Sequence, residues 1–317
     1  MDSEGGESDS QRREAGGNIP GAPGIPAFIA NSATPSSTPL LIAVPHAGRA
    51  YPRALLQDMR HAEASALKLE DRYVDRLAFA VAREVGAGLV VAQAPRAMID
   101  LNRAPDDVDW DMFTKSARPA RTGRVPSRRA RSGLGLIPRR LPGIGEIWRR
   151  RQEQDELDAR IDQVHEPYHA RIADDLASLR ARWGAALLLD LHSMPPLGTG
   201  STGFVPQYVV GDRFGGSCHG CLTAAAFAQL QEANAAVSHN RPYAGGYVLE
   251  RHADPAHGLH ALQLEIDRSM YLDSRMVEPG PGFDSVVALL VGLARRLAQE
   301  VSLLGQAGGD GLRQAAE

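Results

Sequence analysis

The chain from Leu40 onward alternates short apolar runs with longer stretches in which apolar residues recur every three or four positions. The short runs, bounded by Pro, Gly or His, are typical of buried strands, and the longer spacing is typical of helices that pack through one face. Strands that alternate with helices favour an α/β protein built on a layered sheet. The pattern predicts strands at 40–44, 88–94, 97–101, 185–191, 204–210, from 237 and at 260–266, and helices at 67–85, 146–183, 224–235 and 286–301.

The two ends and one internal segment lack this periodicity. Residues 1–38 are rich in Gly, Ser, Pro and acidic side chains and predict a disordered leader, and residues 305–317 predict a flexible tail. Residues 39–304, which lie between these two ends, are predicted to form a single domain. Residues 104–145 combine aspartates, arginines, Pro and Gly, which favours a surface excursion over a lid. Pro167 is expected to kink or divide the longest helix.

Charge and composition exclude several classes of protein. The 317 residues carry 35 basic and 38 acidic side chains, a formal net charge of -3, so no nucleic-acid partner is expected. Only two of the basic residues, Lys68 and Lys115, are lysines, and the arginines suit forked contacts with carboxylates. Two cysteines, Cys218 and Cys221, are too few for a disulfide framework, and no stretch has the pattern of a membrane span or secretory signal. We therefore expect a cytoplasmic protein without membrane contact.

Polar side chains follow several predicted strands at the edge where ligands gather in open α/β sheets. Two histidines with carboxylates nearby have the composition of a catalytic zinc site, which uses three protein ligands and keeps one position open. A single histidine is more often a hydrogen-bonded structural residue, so both interpretations stay open at this point. The side chains at strand ends are His46, Arg96, Asn102, Arg103 and His192, and the nearby carboxylates are Glu70, Asp71, Asp75 and Asp190.

Eight motifs in a fixed order resemble one known family. They are PHAGRAYP, LEDRYVDRL, PRAMIDLNR, GLGLIPR, EPYHARI, DLHSMPP, NRPYAGGY and HALQLEIDRSMYLD, and they lie between residues 40 and 273. Together they resemble the N-formylglutamate amidohydrolase family. The resemblance implies a three-layer αβα sandwich with a mixed, mostly parallel central sheet, of the phosphorylase/hydrolase-like kind. It also implies a zinc-dependent enzyme of histidine catabolism that hydrolyses N-formyl-L-glutamate to formate and L-glutamate.

The resemblance implies a set of metal ligands. His46 of PHAG and His192 of DLHS correspond to ligands, and a carboxylate of LEDRYVD supplies the third, for which we favour Asp71. Glu70 and Asp75 remain alternatives. Zinc carboxypeptidases carry a glutamate three positions after the first histidine, but Arg49 stands there in this chain. Asp71 could also be a helix-surface acid paired with a neighbouring arginine.

Further residues acquire roles from the same resemblance. Glu265 corresponds to the general base, and Arg96 is the candidate for stabilising the oxyanion. Asn102 and Arg103 resemble the pair that binds the substrate's α-carboxylate, and Arg241 with Tyr243 is the weaker candidate for a second carboxylate. The alternatives are a buried salt bridge between Glu265 and Arg268, and arginines that tie loops together through backbone carbonyls.

Three other patterns are weaker. Gly198, Gly200 and Gly203 have dinucleotide-fingerprint spacing but precede a predicted strand instead of a helix. The CxxC at Cys218 lacks a second pair for a structural zinc site, and Ser193 lacks the GxSxG context of a nucleophile. The alternatives to deformylation are hydrolysis of another N-acyl amino acid or acidic amide at the same metal centre, and non-catalytic binding of a small acid.

Overall fold

The structure, a computed structural model, describes residues 12–32, 35–114, 127–198 and 203–314. Its centre is a sheet of eight strands, and a two-stranded hairpin, β5–β6, is separate from that sheet. The strands are β1 Arg12–Gly16, β2 Phe28–Ser32, β3 Leu40–Val44, β4 Gly88–Ala92, β5 Arg140–Leu141, β6 Gly145–Glu146, β7 Ala186–Met194, β8 Tyr208–Gly211, β9 Val237–His239 and β10 Leu259–Asp267. The helices are α1 Arg53–Asp58, α2 Ala62–Leu69, α3 Val74–Val85, α4 Arg128–Arg131, α5 Gln154–Arg160, α6 Glu166–Trp183, α7 Gly220–Glu232, α8 Tyr247–His252 and α9 Phe283–Gln314.

The strand order across the sheet is β1-β2-β4-β3-β7-β10-β8-β9. The four central strands, β4, β3, β7 and β10, run parallel, whereas β1, β2 and β8 each pair antiparallel with a neighbour. The expected mixed, mostly parallel sheet is confirmed. Because parallel strands end at the same edge, β3, β7 and β10 bring their last residues together there.

Helices cover both faces of this sheet. α3, α7 and α9 contribute to one hydrophobic core, and α5, α6 and α8 contribute to the other. Successive side chains of a strand point to opposite faces. Leu40, Ile42 and Val44 of β3 accordingly lie in the first core. Leu41 and Ala43 lie in the second, so the molecule has the expected three layers.

The prediction that residues 1–38 form a disordered leader is wrong for the part of that segment that the structure describes. β1 and β2 form one edge of the central sheet, where β2 pairs antiparallel with β4. Phe28, Ile29 and Ala30 are buried in this pairing. Composition alone does not predict these strands, because the short apolar run is outweighed by the many Gly, Pro and Ser residues around it. Residues 1–11 lie outside the described part of the chain.

One continuous helical segment spans residues 154–183, and Pro167 does not divide it. α5 leads through a π turn at Ile161–His165 into α6, where Pro167 lies in the first turn. Proline has no N–H, so it cannot bond to the carbonyl of Gln163 four residues earlier. The backbone N–H of Asn18 donates to that carbonyl at 2.9 Å. The N-terminal segment therefore replaces the hydrogen bond that the proline removes.

Two predicted elements break up in the structure. The apolar run at 67–85 gives two helices, α2 and α3, separated by the loop at 70–73. Residues 97–101 form turns instead of a strand, because the N–H of Met98 bonds back to the carbonyl of Pro95. Each break leaves a buried aspartate in a loop, and both aspartates belong to the site described below.

Two other elements extend further than predicted. β7 continues beyond the predicted end of its strand, so His192 lies inside a strand instead of after one. α9 continues through Gly305 to Gln314, so the expected flexible tail at 305–317 is helical up to that residue. A Cβ added at Gly305 would lie 2.0 Å from the carbonyl oxygen of Trp183, a close approach that glycine permits.

The docking of the N-terminal segment on the π turn can be tested at Gly17. Gly17 has a φ of +60°, and a Cβ there would lie 2.5 Å from the carbonyl oxygen of Gln163. We expect Gly17→Ala to lower the free energy of unfolding, measured with urea, by more than about 1 kcal/mol. Gly24→Ala is the matched control, because Gly24 has a φ of +80° but no atom within 4 Å of the added Cβ. Equal losses in the two variants would contradict the docking.

Candidate active site

Two histidines and an aspartate converge at the carboxyl edge of the parallel strands. His46 follows β3, His192 lies in the neighbouring strand β7, and Asp71 lies in the loop between α2 and α3. All three residues are buried, at 2% exposure each. Asp71 Oδ2 lies 3.1 Å from His192 Nδ1 and 3.5 Å from His46 Nδ1. Within the described residues, this is the one group of histidine, cysteine or acidic side chains with the geometry to hold a metal ion.

Each histidine is oriented by a second carboxylate on its far side. Asp100 Oδ1 lies 2.7 Å from His46 Nε2, and Asp190 Oδ2 lies 2.8 Å from His192 Nε2. A carboxylate accepts only, so the Nε2 atoms donate and the Nδ1 lone pairs point at Asp71. Carboxylates that orient histidines in this way are common around bound metals.

The resulting arrangement fits a cation. With both Nε2 atoms protonated, two Nδ1 acceptors face a carboxylate oxygen, which is repulsive unless a positive charge lies between them. His46 Nδ1 is buried and has no hydrogen-bond partner among the described residues. Burial disfavours a charged His192, yet Asp190 and Asp71 raise the pKa of His192 well above its usual value. A proton or a metal ion can supply this charge.

The other oxygen of Asp71 is held in place separately. Asp71 Oδ1 accepts from Ser193 Oγ at 3.2 Å and from Arg268 Nη2 at 3.3 Å. Arg268 also donates to Ser193 Oγ and to the carbonyl of Glu70. Burial opposes ionisation of Asp71, but His192 and His46 hold the pKa of Asp71 well below its usual value. Asp71 is therefore an ionised carboxylate with one oxygen directed at the two histidines.

The two alternative third ligands point elsewhere. Asp75 makes a forked pair with Arg49, with N–O distances of 3.1 and 2.6 Å. Glu70 accepts from Arg72 Nη1 at 2.9 Å. Arg49, which stands where the carboxypeptidase pattern has a glutamate, thus anchors Asp75. The geometry favours Asp71 over both.

Glu265 lies beside this group. β10 pairs in parallel with β7, and Glu265 stands directly opposite His192 in that pairing. The residue is 8% exposed, and its carboxylate accepts from Gln263 Nε2 at 3.1 Å. Burial raises the pKa of Glu265 to about 7, although the charge of His192 opposes the shift. The alternative salt bridge with Arg268 is not formed, since that guanidinium binds Asp71 and Ser193.

Arg96 and Asn102 have defined partners next to the histidines. The Nε and Nη2 atoms of Arg96 each lie 2.9 Å from Asp100 Oδ2, so a chain of contacts runs from Arg96 through Asp100 to His46. Asn102 Oδ1 accepts from the N–H of Val248 at 2.9 Å, in the first turn of α8. Asn102 Nδ2 lies 3.4 Å from His192 Nε2.

Arg103 is held by the loops around it. Its Nε and Nη1 atoms donate to the carbonyls of Leu134 and Asn102 at 3.1 and 2.7 Å. Burial lowers the pKa of Arg103. The interpretation of arginines as loop ties therefore applies to Arg103, but its side chain also lines the cavity described next.

A cavity of about 640 Å³ opens onto these residues. His46, Asp71, His192 and Glu265 form part of its wall. Further lining residues that bear on its chemistry are Lys68, Arg96, Asn102, Arg103, Arg128, Arg129, Arg213, Tyr243 and Arg268.

The second-carboxylate prediction is only half supported by this geometry. Tyr243 lines the cavity, and burial raises its pKa. Arg241 is exposed and lies outside the lining, in the turn where its carbonyl accepts from Ser238 Oγ. Arg129 of α4 lines the cavity instead, close enough for its charge to affect the pKa values of Arg103 and Tyr243.

The sequence analysis named Asp190 only as a carboxylate near the histidines and did not name Gln263, although strand spacing pairs each of them with a site residue. Asp190 precedes His192 by two positions, and Gln263 precedes Glu265 by two, so each pair lies on one face of its strand. That spacing identifies partners within a strand. Asp100 lies in a turn that was predicted to be a strand, and nothing local connects it to His46.

Of the weaker patterns, Ser193 does lie in the site, as a hydrogen-bond donor to Asp71, whereas the cysteine pair does not line the cavity. Cys218 and Cys221 are free thiols, and Cys218 Sγ lies 3.3 Å from Thr223 Oγ1. Burial raises the pKa of Cys218 to about 11. Gly200 of the glycine pattern lies outside the described residues. No helix in the described ranges is long and apolar enough to cross a membrane.

The fold and the site define an α/β protein with a cavity lined by carboxylates and histidines, an arrangement suited to hydrolysis. Residues 38–272 match the N-formylglutamate amidohydrolase family, and the chain belongs to this family. The protein is therefore an amide hydrolase, as the resemblance of its motifs implied.

Individual relatives agree with this membership. An N-formylglutamate deformylase of Pseudomonas putida is 34% identical over 241 residues, which cover 74% of this chain and 82% of the relative. The N-formylglutamate deformylase of Pseudomonas aeruginosa is 31% identical over 250 residues, which cover 75% of this chain and 83% of the relative. The crystal structure of N-formylglutamate amidohydrolase from Ralstonia eutropha JMP134 superposes with a TM-score of 0.78 at 30% identity, covering 87% of this chain and 99% of that one.

Proposed function

We propose that the protein hydrolyses N-formyl-L-glutamate to formate and L-glutamate in a zinc-dependent reaction. The observation that carries the proposal is the pair of inward-facing Nδ1 atoms with one carboxylate oxygen, with Glu265 directly across the strand pairing from His192. Two relatives that carry the name N-formylglutamate deformylase support the choice of substrate. The free thiols of Cys218 and Cys221 are in keeping with a reducing compartment, and we assign the activity to the cytoplasm.

The proposed zinc ligands are His46 Nδ1, His192 Nδ1 and Asp71 Oδ2. Two imidazole nitrogens and one carboxylate oxygen make a three-ligand set of the kind that leaves a position for water in catalytic zinc sites. Zinc bound by such a set supplies an activated water and polarises the substrate carbonyl. Asp100 and Asp190 keep both imidazoles in the tautomer that ligation requires.

Glu265 is proposed as the general base. Its carboxylate accepts a proton from the attacking water and returns it to the leaving amine, so that the C–N bond breaks with release of formate and the free amino acid. A pKa of about 7 suits both transfers, because it lies near the pH at which the enzyme would operate. Gln263 orients this carboxylate through its amide N–H.

Arg96 and Arg103 are proposed to contact the substrate on two sides. Arg96 lines the cavity and forms a salt bridge with Asp100. The positive charge of Arg96 stabilises the developing oxyanion. Arg103 uses Nε and Nη1 on backbone carbonyls, which leaves Nη2 for the substrate's α-carboxylate, with Asn102 beside it.

Arg129, with Tyr243, is proposed to bind the side-chain carboxylate of the substrate in place of Arg241. Arg96, Arg213 and Arg268 each have a carboxylate partner, in Asp100, Glu250 and Asp71. Arg129 has no carboxylate partner among the described residues, and its place on the wall is fixed by its short helix. Ser127 Oγ caps that helix by accepting from the N–H of Ala130, and both its N–H and its Oγ donate to Asp107. The excess of positive charge favours a substrate with two carboxylates.

The metal assignment can be tested by elemental analysis. We expect the purified protein to bind about one zinc ion per chain and to lose activity after chelation. The His46→Ala and His192→Ala variants should lose the metal, because each removes one of three ligands. His260→Ala is the control, since His260 is also buried, at 4% exposure in β10, but does not line the cavity. Full zinc retention in both ligand variants would contradict the assignment.

The general base can be tested with Glu265→Gln, which preserves size and removes the proton acceptor. We expect kcat for N-formyl-L-glutamate to fall by about 10²–10⁴-fold, with substrate binding retained. Glu278→Gln, at an exposed carboxylate, is the control and should keep its activity. Comparison of formyl, acetyl and succinyl derivatives of glutamate decides between deformylation and the cleavage of a larger acyl group. An unchanged kcat in Glu265→Gln would remove Glu265 from this role.

Selection of a second carboxylate can be tested with two substrates of equal size. We expect Arg129→Gln to reduce kcat/KM for N-formyl-L-glutamate by about 10–100-fold, because a charge-assisted hydrogen bond is lost. For N-formyl-L-glutamine, kcat/KM of the variant should stay close to that of the wild type. Arg241→Gln is the matched control and should leave both values unchanged. A selective loss in Arg241→Gln instead would restore the sequence-based assignment.

A further inference from the structure

Three buried histidines form a cluster that the proposed mechanism does not use. His165 ends the π turn, His169 follows one turn later in α6, and His252 ends α8. Their exposures are 0%, 0% and 6%. The ring centroids of His165 and His169 lie 4.5 Å apart, and those of His169 and His252 lie 5.2 Å apart in a stacked arrangement. Tyr247, which lines the cavity, packs against His165 and His169.

Two histidines of the cluster donate hydrogen bonds to the backbone on either side of Asn102. His169 Nε2 lies 3.0 Å from the carbonyl oxygen of Leu101, so Nε2 carries the proton. His169 Nδ1 is then an acceptor, and it receives the Nε2 proton of His252 at 2.9 Å. His165 Nε2 donates to the carbonyl of Arg103 at 2.9 Å. Burial lowers the pKa of each histidine, that of His252 to about 3, so all three are neutral at neutral pH.

These bonds hold both sides of one residue of the candidate active site. The carbonyls of Leu101 and Arg103 flank Asn102, in turns that form no ladder with a strand. The carbonyl of Asn102 accepts from Arg103 Nη1, so the carbonyls of three successive residues are all bonded to side chains. Asn102 Oδ1 in turn accepts from Val248 at the start of α8. The segment 101–103 is thus fixed to α6 and α8.

Close packing makes this arrangement sensitive to small displacements. A Cβ added at Gly246 would lie 2.3 Å from Asn102 Oδ1, so α8 and Asn102 meet with no spare room. The π turn sets where His165 projects from the helix, and π turns occur often at functional sites. An apolar ring could fill the same space, but it would leave a buried carbonyl without a donor.

We propose that His165 and His169 are positioning residues for the substrate-binding segment 101–103, and that His252 links this segment to α8. They act on the reaction through Asn102 and Arg103, whose contacts with substrate rest on the proposed function. Loss of either donor frees one carbonyl, and the guanidinium of Arg103 and the amide of Asn102 then lose their fixed positions. Asn102 also touches the metal-ligand group, because its N–H donates to Asp100 Oδ1 at 2.9 Å and its Nδ2 lies 3.4 Å from His192 Nε2. The shorter contacts of His46 and His192 are with Asp100 and Asp190, so the main effect falls on substrate binding.

The test compares four substitutions with a control at another buried histidine. We expect His165→Phe and His169→Phe to raise KM for N-formyl-L-glutamate about tenfold, with kcat changed less than about threefold and zinc content unchanged. His260→Phe removes a histidine of β10 that is 4% exposed and lies outside the cluster, so it should leave KM unchanged. His165→Gln carries an amide donor near the original Nε2 position and should recover most of the affinity. His165→Asn, whose donor is too short to reach the carbonyl, should not.

Hydrogen exchange provides a readout that does not depend on activity. The amide of Val248 should exchange faster in His169→Phe than in the wild type or in His260→Phe, because its acceptor Asn102 is no longer held. If the Phe variants do not fold, the KM values of His165→Gln and His165→Asn still test the positioning role. Equal KM values in those two variants, or unchanged exchange at Val248, would overturn the positioning role. A wild type that does not cleave N-formyl-L-glutamate would refute the proposed function, while the exchange comparison would still test the cluster.

Discussion

The carboxylate of Asp71 has almost no contact with water, and much of the surrounding structure compensates for its charge. A buried ion costs several kcal/mol unless charges and hydrogen bonds surround it. Arg268 and Ser193 satisfy one oxygen, and the two histidines face the other. Those imidazoles need acceptors of their own, which Asp100 and Asp190 provide. Arg96 then balances Asp100, so a single buried charge explains a chain of residues that reaches the cavity wall.

The sequence predicted the parts of the fold in which local pattern decides the outcome. The apolar runs of β3 and β7 become central strands because both of their faces are buried, and no polar alternation competes with that pattern. The same logic fails for β2, whose short apolar run forms a strand only because β4 offers it a partner. It fails again at Pro167, where the missing hydrogen bond comes from Asn18, a donor 149 positions away that no local rule can identify.

The residues of the candidate site also fall into those that the sequence predicts and those that depend on tertiary structure. Motif resemblance brought His46, Asp71, His192 and Glu265 into consideration, and strand periodicity accounts for Asp190 and Gln263. Arg241 and Arg129 illustrate the limit: both are arginines in Gly- or Pro-rich surroundings, and their sequences do not reveal which of the two faces the cavity. That outcome depends on the capping of α4 by Ser127 and its contact with Asp107, which are set by tertiary structure.

The order of the strands has a consequence for how the molecule assembles as it is synthesised. β1, β2, β3 and β4 are adjacent in the sheet and all lie within the first 92 residues, so the ribosome synthesises four neighbouring strands before any later strand. His46 and Asp71 belong to this early unit, but His192 is added with β7 and Glu265 only with β10. The candidate site can therefore be complete only after β10 has been synthesised, although the strands that carry its first residues come early in the chain.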